Sequence, residues 1–133
     1  MKYIVKTREL VWEPKYFPGE KTQYGDFKAL WREHGTNQFE IRITRIPPGG
    51  TNTKYHTHSK EEEWFYVISG SCHICIDDIW DKIEEGDSIF KPIGVFHIFR
   101  NFGNEPCEIL MMGTNIEGST VARLPEPAPP KLT

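Results

Sequence analysis

The chain has 133 residues, a formal net charge of −3 and five histidines. That length supports one hydrophobic core rather than two, and mild acidity with scattered Lys and Arg gives no footprint for nucleic-acid binding. No apolar run approaches the roughly 20 residues of a membrane span, the charged N-terminus "MKYIVKTRELVWEP" has no signal-peptide core, and Cys72, Cys75 and Cys107 do not make a secreted disulfide framework, so a cytoplasmic protein is expected.

The first 25 residues, ending in "WEPKYFPGEKTQYG", predict a strand followed by a Pro/Gly-rich loop that caps one end of a barrel. Residues 26–115 carry the barrel. A short helix is expected before Gly35 in "DFKALWREHG", although Phe27, Leu30 and Trp31 suit a bent strand equally, and His34 is then a turn or helix-end residue. Phe39, Ile41 and Ile43 alternate with Glu40, Arg42 and Thr44 up to the "PPGG" breaker, which predicts a half-buried strand and a turn.

Downstream, "EWFYVIS", "SCHICID", "DSIFK", "FHIFRN" and "CEILMMG" are short runs separated by turn residues, the signature of an all-β sandwich or barrel. Residues 116–133 form a tail whose "LPEPAPPKLT" holds four prolines, so it is expected to be extended, either loose or draped over a neighbouring surface.

His56 and His58, at i and i+2, fall on one face of a strand and can share an ion. After them come three carboxylates, Glu61, Glu62 and Glu63. Strand phase puts Glu63 on the inward face with Phe65 and Val67, and leaves Glu61 and Glu62 as solvated neighbours. His97 shares a face with Phe99, and an imidazole on a buried face needs a partner. Each residue alone reads as an ordinary solvated side chain; the coincidence of all four on inward phases points to a metal. Cys72 and Cys75 spell C-x-x-C, yet i and i+3 on a strand point to opposite faces, so they are expected to be neither a metal pair nor a disulfide. His73 then lies on the outer face.

From Gly50 to Gly70 the order is G, five residues, H, one, H, four, E, six, G; from Gly86 to Asn101 it is G, five, P, one, G, two, H, three, N. These two stretches resemble the paired motifs of the cupin superfamily. The resemblance implies a double-stranded β-helix, a jelly-roll barrel in a single domain, with one divalent transition metal held by His56, His58, Glu63 and His97. Three imidazoles and a carboxylate suit Fe, Mn, Ni, Co, Cu or Zn.

The expected function is therefore a metal-dependent enzyme acting on a small molecule. An oxidoreductase of the dioxygenase type comes first, with a metal-dependent isomerase or lyase and a non-catalytic ligand-binding module as alternatives. Glu63 is also a candidate base, and Tyr55, Tyr66 or Lys91 could move a proton. Lys91 is expected to run its ammonium out to solvent, and Phe65, Phe99 and Met111 or Met112 to pack the core. A homodimer is expected from exposed strand edges, with Tyr3 to Val5 as a strand to exchange.

Overall fold

Strands of period-two alternation build the two sheets of the molecule. The computed structural model describes residues 1–17 and 19–132; Pro18 of the N-terminal loop and Thr133 of the tail lie outside the described residues. The strands among them are β1 (Glu13–Tyr16), β2 (Gln23–Ala29), β3 (Phe39–Ile46), β4 (His56–His58), β5 (Glu63–Ser69), β6 (Ser71–Ile76), β7 (Ile79–Glu84), β8 (Ser88–Lys91), β9 (His97–Arg100), β10 (Cys107–Thr114) and β11 (Val121–Arg123). They form two antiparallel sheets, ordered β1-β2-β3-β10-β5-β8 and β11-β4-β9-β6-β7, the all-β jelly roll anticipated above. No helix among the described residues is long and apolar enough to cross a membrane.

The only α-helix among the described residues, α1 (Leu30–His34), is shorter than the sequence suggests, because residues 26–29 continue β2. It ends at Gly35, whose φ of 84° is the left-handed conformation that glycine adopts without a Cβ penalty. Gly70 has a similar requirement between β5 and β6: its φ is 78°, and a Cβ there would run into the Pro106 carbonyl.

Between the sheets lies a core that includes Ile46, Phe65, Val67, Ile74, Phe99 and Ile109. Phe65 and Phe99 are fully buried, edge to face at 4.9 Å. Burying each contributes about 2–3 kcal/mol, before the smaller gain from their ring geometry. Cys72 belongs to this core, whereas Cys75 packs with Tyr55 and Ile98 on the outer side of the five-stranded sheet. The two cysteines thus face opposite ways, as their spacing requires. The tail drapes over that outer side, where Trp80 Nε1 donates to the Ala128 carbonyl at 2.7 Å and Arg100 grips Glu126.

In the six-stranded sheet the pairing Glu40, Gly113, Glu63, Lys91 forms a row across β3, β10, β5 and β8, and Arg42, Met111, Phe65, Ile89 form the next. Because directly paired residues share a face, Glu40, Arg42 and Thr44 of β3 point inward. Phe39, Ile41 and Ile43 point out, with Phe39 exposed. The apolar alternation of β3 therefore marks the outer face of the barrel rather than its core, since this end of the interior is a polar cavity.

Asn101, the last residue of the second motif, closes the turns at the opposite side. Its Nδ2 donates to the carbonyls of Ile46 and Glu105, and its Oδ1 accepts from Gly103 N.

Candidate metal centre

His56 and His97 are directly paired across β4 and β9, and Glu63 stands on the facing sheet. Donor atoms of these three residues lie within 4.8 Å of one another. His58, the fourth residue singled out by sequence, stands at the edge of the group with Nε2 3.4 Å from Glu63 Oε1, its ring 5.0 Å from that of His56. Phe65 and Phe99 pack against the His97 ring from the core side at 5.2 and 5.7 Å.

Polar neighbours at Nδ1 of His56 and His58 leave Nε2 of each ring as the free acceptor. His56 Nδ1 lies 2.7 Å from the Lys54 carbonyl, which can only accept, so the proton sits on Nδ1 and Nε2 keeps its lone pair. Glu61 Oε2 lies 3.4 Å from His58 Nδ1 and favours the proton there. His58 Nε2 and Glu63 Oε1 then face one another as two acceptors, a clash that a cation between them resolves.

Burial holds all three rings neutral: His56 is pushed down to about 3, and His58 and His97 are also lowered by desolvation. Burial raises the Glu63 carboxyl, against the pull of His58 and Lys91. Glu63 Oε1 and His97 Nδ1 are buried without a hydrogen-bond partner. Such atoms are costly in an interior, and a divalent ion is the partner that neutral imidazoles and one carboxylate are suited to hold.

Several side chains depart from expectation. Lys91 is completely buried rather than solvated: its Nζ donates to the Pro92 carbonyl at 3.2 Å and lies 3.8 Å from Glu63 Oε1. Strand pairing explains this, because Lys91 sits opposite Glu63 on the inward row. Glu61 is no solvated bystander but lines the cavity beside His58, while Glu62 is exposed. Tyr55 does not reach the site; its hydroxyl donates to Asp78 Oδ1 on the outer side of the five-stranded sheet. Tyr66 is on the outer face of the other sheet, paired with Leu110. Met111 reaches both core and cavity, whereas Met112 faces outward with Trp64.

In front of the cluster opens a cavity of ≈ 350 Å³. Its walls include Lys15 and Phe17 from the N-terminal segment, Glu40 and Arg42 from β3, Asn52 and Thr53 from the loop before β4, and Val121 and Arg123 from β11. Sequence reasoning missed these residues. The polar phase of β3 was the available signal for Glu40 and Arg42, while Lys15 and Arg123 arrive only through long-range pairing of the two chain ends. Lys15 is pushed down to about 7, chiefly by burial and then by Arg42.

Comparison with known proteins agrees with this architecture. The family model described as "Cupin domain" matches residues 42–113, and the chain belongs to the cupin family. Among relatives, an uncharacterized protein of Methanocaldococcus jannaschii is 34% identical over 65 residues, covering 49% of this chain and 52% of its own length. The chain thus spans about half of that relative. Among solved structures, a candidate sugar phosphate isomerase from Acidithiobacillus ferrooxidans is 29% identical with a TM-score of 0.71, covering 74% of this chain and 64% of that one. A polyketide cyclase from Streptomyces resistomycificus superposes with a TM-score of 0.79 at 24% identity, over 93% of this chain and 86% of its own, a likeness of fold.

Proposed function

We propose that the chain is a metal-dependent enzyme acting on a small molecule, with His56, His58, Glu63 and His97 holding one ion of Fe, Mn, Ni, Co, Cu or Zn. The observation that carries this reading is the convergence of donor atoms from His56, Glu63 and His97 within 4.8 Å, with buried Glu63 Oε1 and His97 Nδ1 unpartnered at the floor of a cavity. His58 completes the set by turning its Nε2 onto Glu63. When bound, the ion supplies Lewis-acid polarisation of a substrate oxygen, or a binding position for dioxygen.

Metal-dependent isomerase or lyase chemistry is favoured over the dioxygenase reading. Groups that hold or move protons flank the cluster: Glu61 lines the cavity beside His58, and Lys91 is buried behind Glu63. The solved structure at 29% identity is also that of a candidate sugar phosphate isomerase. Phe17, Val121 and Met111 limit water on the apolar side of the cavity. The three free, buried cysteines fit a reducing compartment, the cytoplasm.

Metal analysis followed by incubation with small hydroxy acids, keto acids and sugar phosphates in deuterated water tests this. Substrate deuteration without oxygen uptake is expected. Oxygen uptake would move the assignment to the oxidoreductase class, and under about a tenth of an equivalent of metal after loading would remove both.

A further inference from the structure

The cavity sets three cations in its lining against three carboxylates, Glu40, Glu61 and Glu63, the last of them in the metal cluster. Lys15, Arg42 and Arg123 all line it, in a protein whose net charge is −3. Arg42 is neutralised by Glu40 at 3.0 Å and stacks against the Trp31 ring. Lys15 and Arg123 have no carboxylate within ion-pair distance and no hydrogen-bond acceptor among the described residues; the Arg123 guanidinium instead lies over the Phe17 ring at 4.1 Å.

Both are placed by the fold. The β1–β2 register shifts between Pro14 and Tyr16, so Lys15 sits at an irregularity, a device that re-aims a side chain. Lys15 is half-buried while Pro14 and Tyr16 are exposed. Arg123 is paired with His56, which carries it to the rim beside the cluster. The two ends of the chain thus meet over the cavity and bring one free cation each.

We infer that the substrate is a small organic molecule carrying an oxyanion, either carboxylate or phosphate, and that Lys15 and Arg123 bind this group while the rest of the molecule reaches the cluster. This rests on the reading of the cavity as a metal-dependent active site. Two cations beside a metal cluster in one cavity suit a bifunctional ligand, and ≈ 350 Å³ fits a small acid or phosphate ester. Burial and then Arg42 lower the Lys15 ammonium against the weaker pull of Glu63 and Glu40, neither of which lies within ion-pair distance of it. An inward lysine can also protect an edge strand from pairing with another chain, but that role needs neither Arg123 nor the cavity.

Calorimetric titration of the protein as purified, and again after chelation, with malonate, glycerol 1-phosphate and neutral glycerol tests the inference. At least one anion is expected to bind and glycerol is not. Lys15→Met should weaken the bound anion about tenfold or more and Arg123→Met several-fold, with Lys15→Arg retaining most of the affinity. The tighter anion identifies the oxyanion. Equal affinity in wild type and Lys15→Met, or no binding of either anion at millimolar concentration, would overturn the inference. Anion binding that survives chelation and still falls in Lys15→Met would support it even if metal content failed, so the two readings fail separately.

Discussion

Lys91 Nζ lies 3.8 Å from Glu63 Oε1, the two residues directly opposite one another on β8 and β5. A fully buried ammonium beside an unpartnered carboxylate oxygen works against the burial that raises the Glu63 carboxyl. A ligating carboxylate must be ionised, so Lys91 widens the pH range over which Glu63 can hold a metal.

Replacing Lys91 by Met should therefore raise the Glu63 carboxyl further. The pH midpoint of metal uptake, followed by equilibrium dialysis, is expected to move upward by about one unit, the shift of a neighbouring charge at this range. An unchanged midpoint would show that the ammonium does not act on Glu63.

The carboxylate of Glu61, 3.4 Å from His58 Nδ1, should matter where its neighbour does not. Glu61→Gln is expected to cost about tenfold in metal affinity, as outer partners of ligating imidazoles do. Glu62→Gln changes an exposed residue and serves as the control. Competition against a chromogenic chelator measures both.

Acid should destabilise the metal-free protein early. His56 falls from 6.5 to about 3 on folding, and His58 and His97 are also lowered. Below 6.5 the unfolded chain takes up protons that the folded chain refuses, so stability held above pH 6.5 is lost as pH falls, by about 1.4 kcal/mol per pH unit for each fully excluded imidazole. Glu63 and Glu61, both raised on folding by burial, oppose this. Urea midpoints at pH 7.5 and 5.5 should differ accordingly, and bound metal should reduce the loss. Equal midpoints would contradict the burial of neutral rings.

The outer face of the six-stranded sheet carries Phe90, Trp64, Met112 and Ile41 in one row and Tyr66, Leu110 and Ile43 in the next. An apolar band across four strands suits an isologous contact with a second copy, a different surface from the strand edges on which the sequence expectation of a homodimer rests. Tyr3 and Ile4 are exposed and outside any strand. Leu110→Glu should convert a dimer to a monomer by light scattering without changing metal content. A dimer that survives it uses another face.

The motif glycines, Pro92 and Asn101 were legible through the resemblance to the cupin motifs, and the inward phase of Glu63 and His97 through strand parity. β3 was harder. Its apolar residues alternate cleanly, yet parity alone does not say which face is interior, and here a polar cavity turned Arg42 inward and Ile43 outward. Lys91 obeyed its phase against the general preference of lysine for water, standing opposite Glu63 on the inward row with its ammonium 3.8 Å from that carboxylate. Lys15 and Arg123 could not be seen from sequence, since only the pairing of β1 with β2 and of β11 with β4 brings them to one cavity.

The metal content of the purified chain bears most directly on the central claim. Protein prepared without chelator and loaded with a transition metal should hold about one equivalent by elemental analysis. His97→Ala, checked for retained strand content by circular dichroism, should hold less than about a tenth. A folded His97→Ala protein that kept the full equivalent would contradict the assignment.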